Sequence, residues 1–330
     1  MSEKSQIEVG DVAAEAAAFD SRISPRVAAG FIPDLRRAVK CEYFYKSFWR
    51  DPQFIQLYVG SIVDGYLELL SRHCGSHQSI LDVGCGSGYV SLELARNGHH
   101  VVAIDISAEN IKVARTTQAE NPFHEGFGSL RYEHLPFHLA DGLYDVILFS
   151  VSLHHMPDVE GVVARARELV RPGGYVLCYE PCHERFREQD AAQVALIRAI
   201  LAITGNWYDP IEVMPHLGNG AALADYVSGL HMEYVLERDP NEPQGQSPHD
   251  LEADGKTMLE ALRRNFEEVE YRPGFSFIYR LLGGIRGSDQ TVRALADLFA
   301  LYDKLAVERY GLAPNHFYFI GRKENQSGLV

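Results

Sequence analysis

The apolar positions of this chain change period as they run. From Pro52 to about His73, residues Ile55, Tyr58, Val59, Ile62, Tyr66 and Leu69 or Leu70 share one helical stripe, with Pro52 at the start. SILDVGCG then follows as a short apolar run ending in glycines. YVSLELARNG is helical, with Asn97-Gly98 as its stop, and HVVAIDIS is a second buried run. Strand, helix and strand within about thirty residues describe a βαβ unit.

The alternation continues. Ser107 can cap a helix carrying Ile111 and Ala114, a short strand is expected near Leu130 to Glu133, and YDVILFSV reads as a buried strand. Val159, Val162, Val163, Ala166, Leu169 and Val170 then form one helical face between Asp158 and the stop Pro172-Gly173, and YVLCYEP is strand five. Such alternation predicts a doubly wound, mostly parallel sheet.

After Pro181 the alternation lapses. The helix over 191–203 has only Gln193 and Arg198 interrupting its apolar surface, so it is expected to be buried or to face a partner, a homodimer being compatible. ERDPNEPQGQSPHDLEADG reads as a mobile loop or linker. Regularity returns with KTMLEALRRNF, EEVEYR, a helix near 289–309 and a terminal strand HFYFIGRK. Near the other end, residues 8–20 have a helical composition.

Composition narrows the function. Apolar residues make up 46% of 330, enough for a large α/β domain. The formal charge of -14 disfavours nucleic acid, which is bound through clustered Lys and Arg, so a small molecule is the expected partner. No window approaches membrane-spanning length, the first residues lack a signal-peptide pattern, and five scattered cysteines suit reduced thiols; a cytoplasmic protein is expected.

The chemistry centres on LDVGCGSGY. Gly84, Gly86 and Gly88 follow a buried strand and open a helix, where a side chain would block the tight turn and a ligand's approach to the backbone. Asp105 ends the next strand, 21 residues beyond Gly84, where a carboxylate can accept hydrogen bonds from ribose hydroxyls. A dinucleotide loop would place its third glycine at position 89, which is Tyr89. The G-x-G-x-G spacing, preceded by Asp82, resembles that of the class I S-adenosylmethionine (SAM)-dependent methyltransferases, and is similar to their type 11 and type 12 small-molecule domains. ILDVGCGSGYVSLELA and VVAIDIS resemble the first two signatures of that family, and HLPF, YDVILFSVSLHH and LVRPGGYVL the later ones.

The resemblance implies a seven-stranded class I fold and roles by position. Residues 1–77 would be a helical lid, 78–181 the SAM-binding core, 182–255 an insertion capping the acceptor, and 256–330 the rest of the sheet with an inserted helix. Gly84, Gly86 and Gly88 would surround the methionine and ribose of SAM, Asp105 would hold the ribose, Ile106 would pack on adenine and Ser150 would lie near the sulfonium. The family's adenine-binding Asp-Ala positions are here Arg131 and Tyr132, leaving Glu133 to supply a polar contact. EYFYKSFW crowds five aromatics into eight residues of the lid, and aromatic faces attract a sulfonium; Tyr43, Tyr45, Phe48 or Trp49 is expected to face the ligands, with Arg50 pairing with the methionine carboxylate.

An acceptor hydroxyl or ammonium must lose a proton. His154 and His155 follow strand four, Glu180 ends strand five, and these are the candidate bases. Adjacent histidines point apart and no acid is tied to them by spacing, so no metal is expected. The resulting expectation is a SAM-dependent methyltransferase acting on a small-molecule acceptor. Two alternatives stand beside it: transfer or cyclisation of the aminocarboxypropyl group, as in azetidine-2-carboxylate synthases of similar fold, and SAM binding without turnover.

Overall fold

Seven strands form one sheet in the order β3-β2-β1-β4-β5-β7-β6. They are β1 (Ser79–Val83), β2 (His100–Asp105), β3 (Ser129–His134), β4 (Tyr144–Ser150), β5 (Val170–Pro181), β6 (Glu267–Pro273) and β7 (His316–Arg322). This computed structural model describes residues 3–236 and 253–324, with side chains from Val12 onward. The first five strands pair in parallel, and β7 lies antiparallel to both β5 and β6. The sheet is therefore mixed, its antiparallel part confined to one edge.

Period-two alternation in the central strands supplies two faces. Ile80, Val146, Leu148, Leu177, Tyr179, Tyr318 and Ile320 enter one core cluster. Leu81, Val83, Ile147, Phe149, Val176, Cys178, Phe317 and Phe319 enter the other. Helices cover both faces, as a parallel sheet buried on each side requires. The first face receives the continuous helical run 52–74, made of α2 (Pro52–Ile55), α3 (Ser61–Leu69) and two π turns. It also receives α4 (Tyr89–Arg96), α5 (Ala108–Ala119), α7 (Glu188–Ile203), α8 (Gly220–Val235), the short α10 (Ile278–Leu281) and α11 (Asp289–Arg309). The second face receives α6 (Val159–Leu169) and α9 (Gly255–Asn265).

The sequence pattern missed α8, whose interior Gly229 and scattered apolar positions carry no clear helical stripe. The linker expected over 237–255 falls, for 237–252, outside the described residues. Helix α7 buries Val194, Ala195 and Leu201 and leaves Leu196, Ile200 and Ile203 exposed; its Arg198 turns inward onto Glu233.

The first helix, α1 (Glu3–Ala28), crosses the carboxyl end of the sheet and contacts α5. Asp20 of α1 accepts from Ser107 Oγ and from the Glu109 amide at the start of α5. The segment that follows is anchored by Asp34, whose two oxygens each accept from Arg96 at 2.8 Å in a buried cluster with Glu93 and Asn121. Removing one member of such a buried pair typically costs about 3–5 kcal/mol, so this junction fixes the N-terminal segment to α4.

Candidate functional site

β1 and β4 are neighbours whose crossovers leave in opposite directions, and the crevice beyond their carboxyl ends is the switch point where such sheets bind ligands. There the chain turns through three left-handed glycines: Gly84 (φ 74°), Gly86 (φ 52°) and Gly88 (φ 85°). They are not equivalent. A Cβ on Gly84 would stand 2.7 Å from that of Ser152, and one on Gly88 would collide with the Tyr132 phenol. A Cβ on Gly86 would meet nothing within 4 Å. Gly86 thus presents bare backbone to open space.

That space is a cavity of about 1240 Å³. Pockets for one drug-sized ligand run to about 1,000 Å³, so this one has room for a cofactor and a second molecule. Of the residues singled out by sequence, Asp82, Gly84, Gly86, Asp105, Ile106, Ser150, His154 and His155 line it.

Asp105 ties the loop down. Its Oδ2 accepts from the Gly86 amide at 2.7 Å and its Oδ1 from the Ser107 amide at 2.8 Å. Each carboxylate oxygen can accept a further bond, so hydroxyl donors can still be taken. Burial raises its pKa against the pull of these two amides. Asp82 is fully buried; Ser91 Oγ donates to its Oδ2, while Oδ1 has no hydrogen-bond partner among the described residues. Burial, with the charge of Asp105 as a smaller contribution, pushes the Asp82 carboxyl up to about 7.

Other residues take different places from those expected. Gly88 and Tyr132 do not line the cavity. Tyr132 lies buried beneath the loop and donates to the Gly88 carbonyl at 2.7 Å, so it is a prop rather than a ligand contact. Glu133 pairs with Arg131 at 2.6 Å, away from the cavity lining. Tyr43 and Tyr45 are half exposed and outside the lining; the Arg286 guanidinium sits 4.6 Å from the Tyr45 ring. Arg50 faces the other way, donating to the Ile285 carbonyl at 2.9 Å. Within EYFYKSFW only Trp49 reaches the cavity, its ring set edge-on against Phe31 and Tyr89. Phe48 turns inward onto Tyr58.

The far wall comes from α1, which contributes Val12, Glu15, Phe19, Ile23 and Arg26. Sequence reasoning missed these residues, although Phe19, Ile23 and Arg26 recur at spacings of four and three on one helical face. None of the described residues of 182–255 lines the cavity; α7 and α8 pack on the first sheet face, and Cys182 and Ala253 on the second.

The three candidate bases divide in two. Glu180 is fully buried and lies behind the lining. Its Oε1 accepts from the Ser152 and Leu153 amides, each at 2.9 Å, and its Oε2 from His154 Nδ1 at 2.8 Å. His154 is itself 1% exposed, whereas the His155 side chain keeps 18% exposure, with Nδ1 3.3 Å from Glu15 Oε1. Sequence spacing tied no acid to either histidine; the fold brings one to each.

Residues 81–178 match the family model for a methyltransferase domain. The ubiquinone biosynthesis O-methyltransferase of Pectobacterium carotovorum subsp. carotovorum is 38% identical over 161 residues, covering 47% of this chain and 66% of that one. The protein of the same name from Pectobacterium atrosepticum is 28% identical over 168 residues (49% and 68%), and that from Bordetella avium 34% identical over 130 (39% and 54%). This chain thus spans roughly half to two thirds of the length of these relatives. A SAM-dependent methyltransferase from Methanosarcina mazei superposes with a TM-score of 0.45 at 18% identity, covering 78% of this chain and 97% of that one. The glycine turn, the spaced acid and the switch-point cavity belong to a class I SAM-dependent methyltransferase domain. Residues 81–178 are thus a methyltransferase domain, and S-adenosylmethionine is the cofactor that this match supports.

Proposed function

We propose that this protein transfers a methyl group from SAM to a hydroxyl of a small, largely apolar acceptor held in the same cavity. The observation that carries this reading is the open backbone at Gly86, bracketed by Asp82 and Asp105, at one end of a cavity large enough for two molecules. In this reading Asp105 accepts from the ribose hydroxyls, and the unpartnered Oδ1 of Asp82 receives the methionyl ammonium. Ile106 packs on the adenine and Ser150 lies toward the transfer end. Arg26 takes the carboxylate role expected of Arg50, because it is the arginine of α1 that lines the cavity. Trp49 supplies the aromatic face.

When bound, SAM supplies an already activated methyl carbon. The protein's own residues then have three tasks: positioning, exclusion of water and removal of the acceptor proton. Helix α1 covers the cavity and excludes water, the lid role expected of residues 1–77. His155, partly accessible and held at Nδ1 by Glu15, takes the proton. His154 and Glu180, buried beneath it, hold the turn that presents it.

The O-methyltransferase names of the curated relatives support a hydroxyl acceptor, and the apolar wall from α1 supports an acceptor of low polarity. They also favour methyl transfer over the aminocarboxypropyl and binding-only alternatives. Five free cysteines, four of them buried, fit a reducing cytoplasm. The test is incubation with SAM and a panel of phenols, catechols and apolar alcohols, with mass-spectrometric identification of the spent nucleoside. S-adenosylhomocysteine with a methylated product supports the proposal. Methylthioadenosine would replace it with aminocarboxypropyl chemistry, and intact SAM across the panel would leave a binding protein.

A further inference from the structure

Two non-glycine residues among those described have positive φ: His77, in the turn before β1, and Val151 (φ 54°), which follows β4. A β-branched residue is the least suited to this region, because its branched Cβ crowds the backbone. Such a conformation is strained and persists only where its surroundings dictate it. Here they do so on both sides. Tyr66 OH donates to Ser150 Oγ at 2.9 Å, and the Val151 amide donates to the Tyr179 carbonyl at 2.9 Å. Immediately after it, Ser152 and Leu153 donate to Glu180, and Ser152 Oγ donates to the Val83 carbonyl at 2.6 Å. The end of β5 thus clamps the backbone at Val151 and just after it, while Tyr66 holds the Ser150 side chain before it.

The strain does not serve burial of the side chain. Val151 is 37% exposed and lines the cavity, between Ser150 and the His154–His155 turn. A glycine would adopt this backbone without strain. We propose that Val151 is a specificity-determining residue, its isopropyl group held in the cavity as the wall that limits the size of the acceptor. This rests on the reading of the cavity as a site shared by SAM and an acceptor.

The experiment uses the full chain and Val151→Gly and Val151→Ala variants saturated with S-adenosylhomocysteine, with phenol and 1-naphthol as calorimetric probes. Val151→Gly should raise the melting midpoint by about 2 °C or more through relief of strain, with Val151→Ala between it and the parent. Its affinity for 1-naphthol should rise about fivefold or more, while affinities for phenol and S-adenosylhomocysteine stay within about twofold. A midpoint at or below that of the parent overturns the proposal. So do equal 1-naphthol affinities in parent and variant, including no binding to either. Failure of the parent to bind S-adenosylhomocysteine is a different result, which removes the shared-site reading itself.

Discussion

The Gly86 amide donates to the Asp105 carboxylate across 2.7 Å, so the glycine turn after β1 is tied to the last residue of β2. The other oxygen of the same carboxylate takes the Ser107 amide at the entry to α5. One side chain therefore sets the shape of the loop and offers its remaining lone pairs to whatever lies over it.

Asp105→Ala should weaken S-adenosylhomocysteine binding by about 10- to 100-fold, the scale of losing one or two hydrogen bonds to a charged acceptor. Calorimetry reads this directly. Asp105→Asn keeps one acceptor oxygen and should fall between. Unchanged affinity in both variants would show that the carboxylate holds only the loop.

Asp82 gives a pH signature. Burial raises its carboxyl to about 7 in the folded protein, from an ordinary value of 3.8. The folded state then binds more protons than the unfolded state between those values. Stability therefore falls as pH rises from about 4 to about 7, with the full penalty present above. Asp82→Asn lacks this titration. Its melting midpoint relative to the parent should climb between pH 4 and pH 8 by about 3 °C or more. Its affinity for S-adenosylhomocysteine relative to the parent should drop over the same series if Oδ1 meets the ammonium, because only the parent's carboxyl gains charge. A parallel pair of melting curves across pH would contradict the buried-carboxylate account.

Glu180 separates support from chemistry. Glu180→Ala leaves the Ser152 and Leu153 amides and His154 Nδ1 without their acceptor in a buried place, and should cost about 3 kcal/mol or more in denaturant unfolding. Glu180→Gln retains one acceptor oxygen for the two amides and should cost less. If His155 is the base, Glu180→Gln should lower kcat without moving the acid limb of the pH–rate profile, whereas His155→Gln should abolish that limb.

The parallel core was legible because its information is local. Buried strands, glycine stops and the capping residues Ser107 and Asp158 stand next to the elements they shape, and both side chains accept the expected helix-start amides. The antiparallel edge was less so, since the partners of β7 are set by β5 and β6 far away in sequence. The same distinction holds at the site. Asp82, Gly86 and Asp105 lie within 24 consecutive positions and were found from spacing. Glu15 and Arg26 approach from α1, and no local pattern links residue 15 to residue 155. Tyr132 stands at one of the positions where the resemblance implies an adenine contact, although the residue departs from the family's pattern; its ring is long enough to reach under Gly88 and fill the space there.

The aromatic stretch, with Arg50 beside it and Arg26 on α1, allows a paired comparison. Tyr45 lies against Arg286, and Arg50 is bound to Ile285, on a side of the N-terminal segment that does not meet the cavity. Trp49 and Arg26 line it. Arg26 is largely buried, and burial lowers its pKa while leaving it cationic at neutral pH. A carboxylate arriving beside it would gain a charge-assisted bond in a place with little water. Arg26→Met should therefore weaken S-adenosylhomocysteine binding about tenfold, and Trp49→Leu by a smaller factor of about three to ten. Arg50→Met and Tyr45→Leu should each leave it within about twofold, with a melting curve taken alongside for Arg50→Met because it removes a bond to the Ile285 carbonyl. Loss of affinity in the Arg50 and Tyr45 variants at normal stability, with the Arg26 and Trp49 variants unaffected, would reverse the assignment of the two faces.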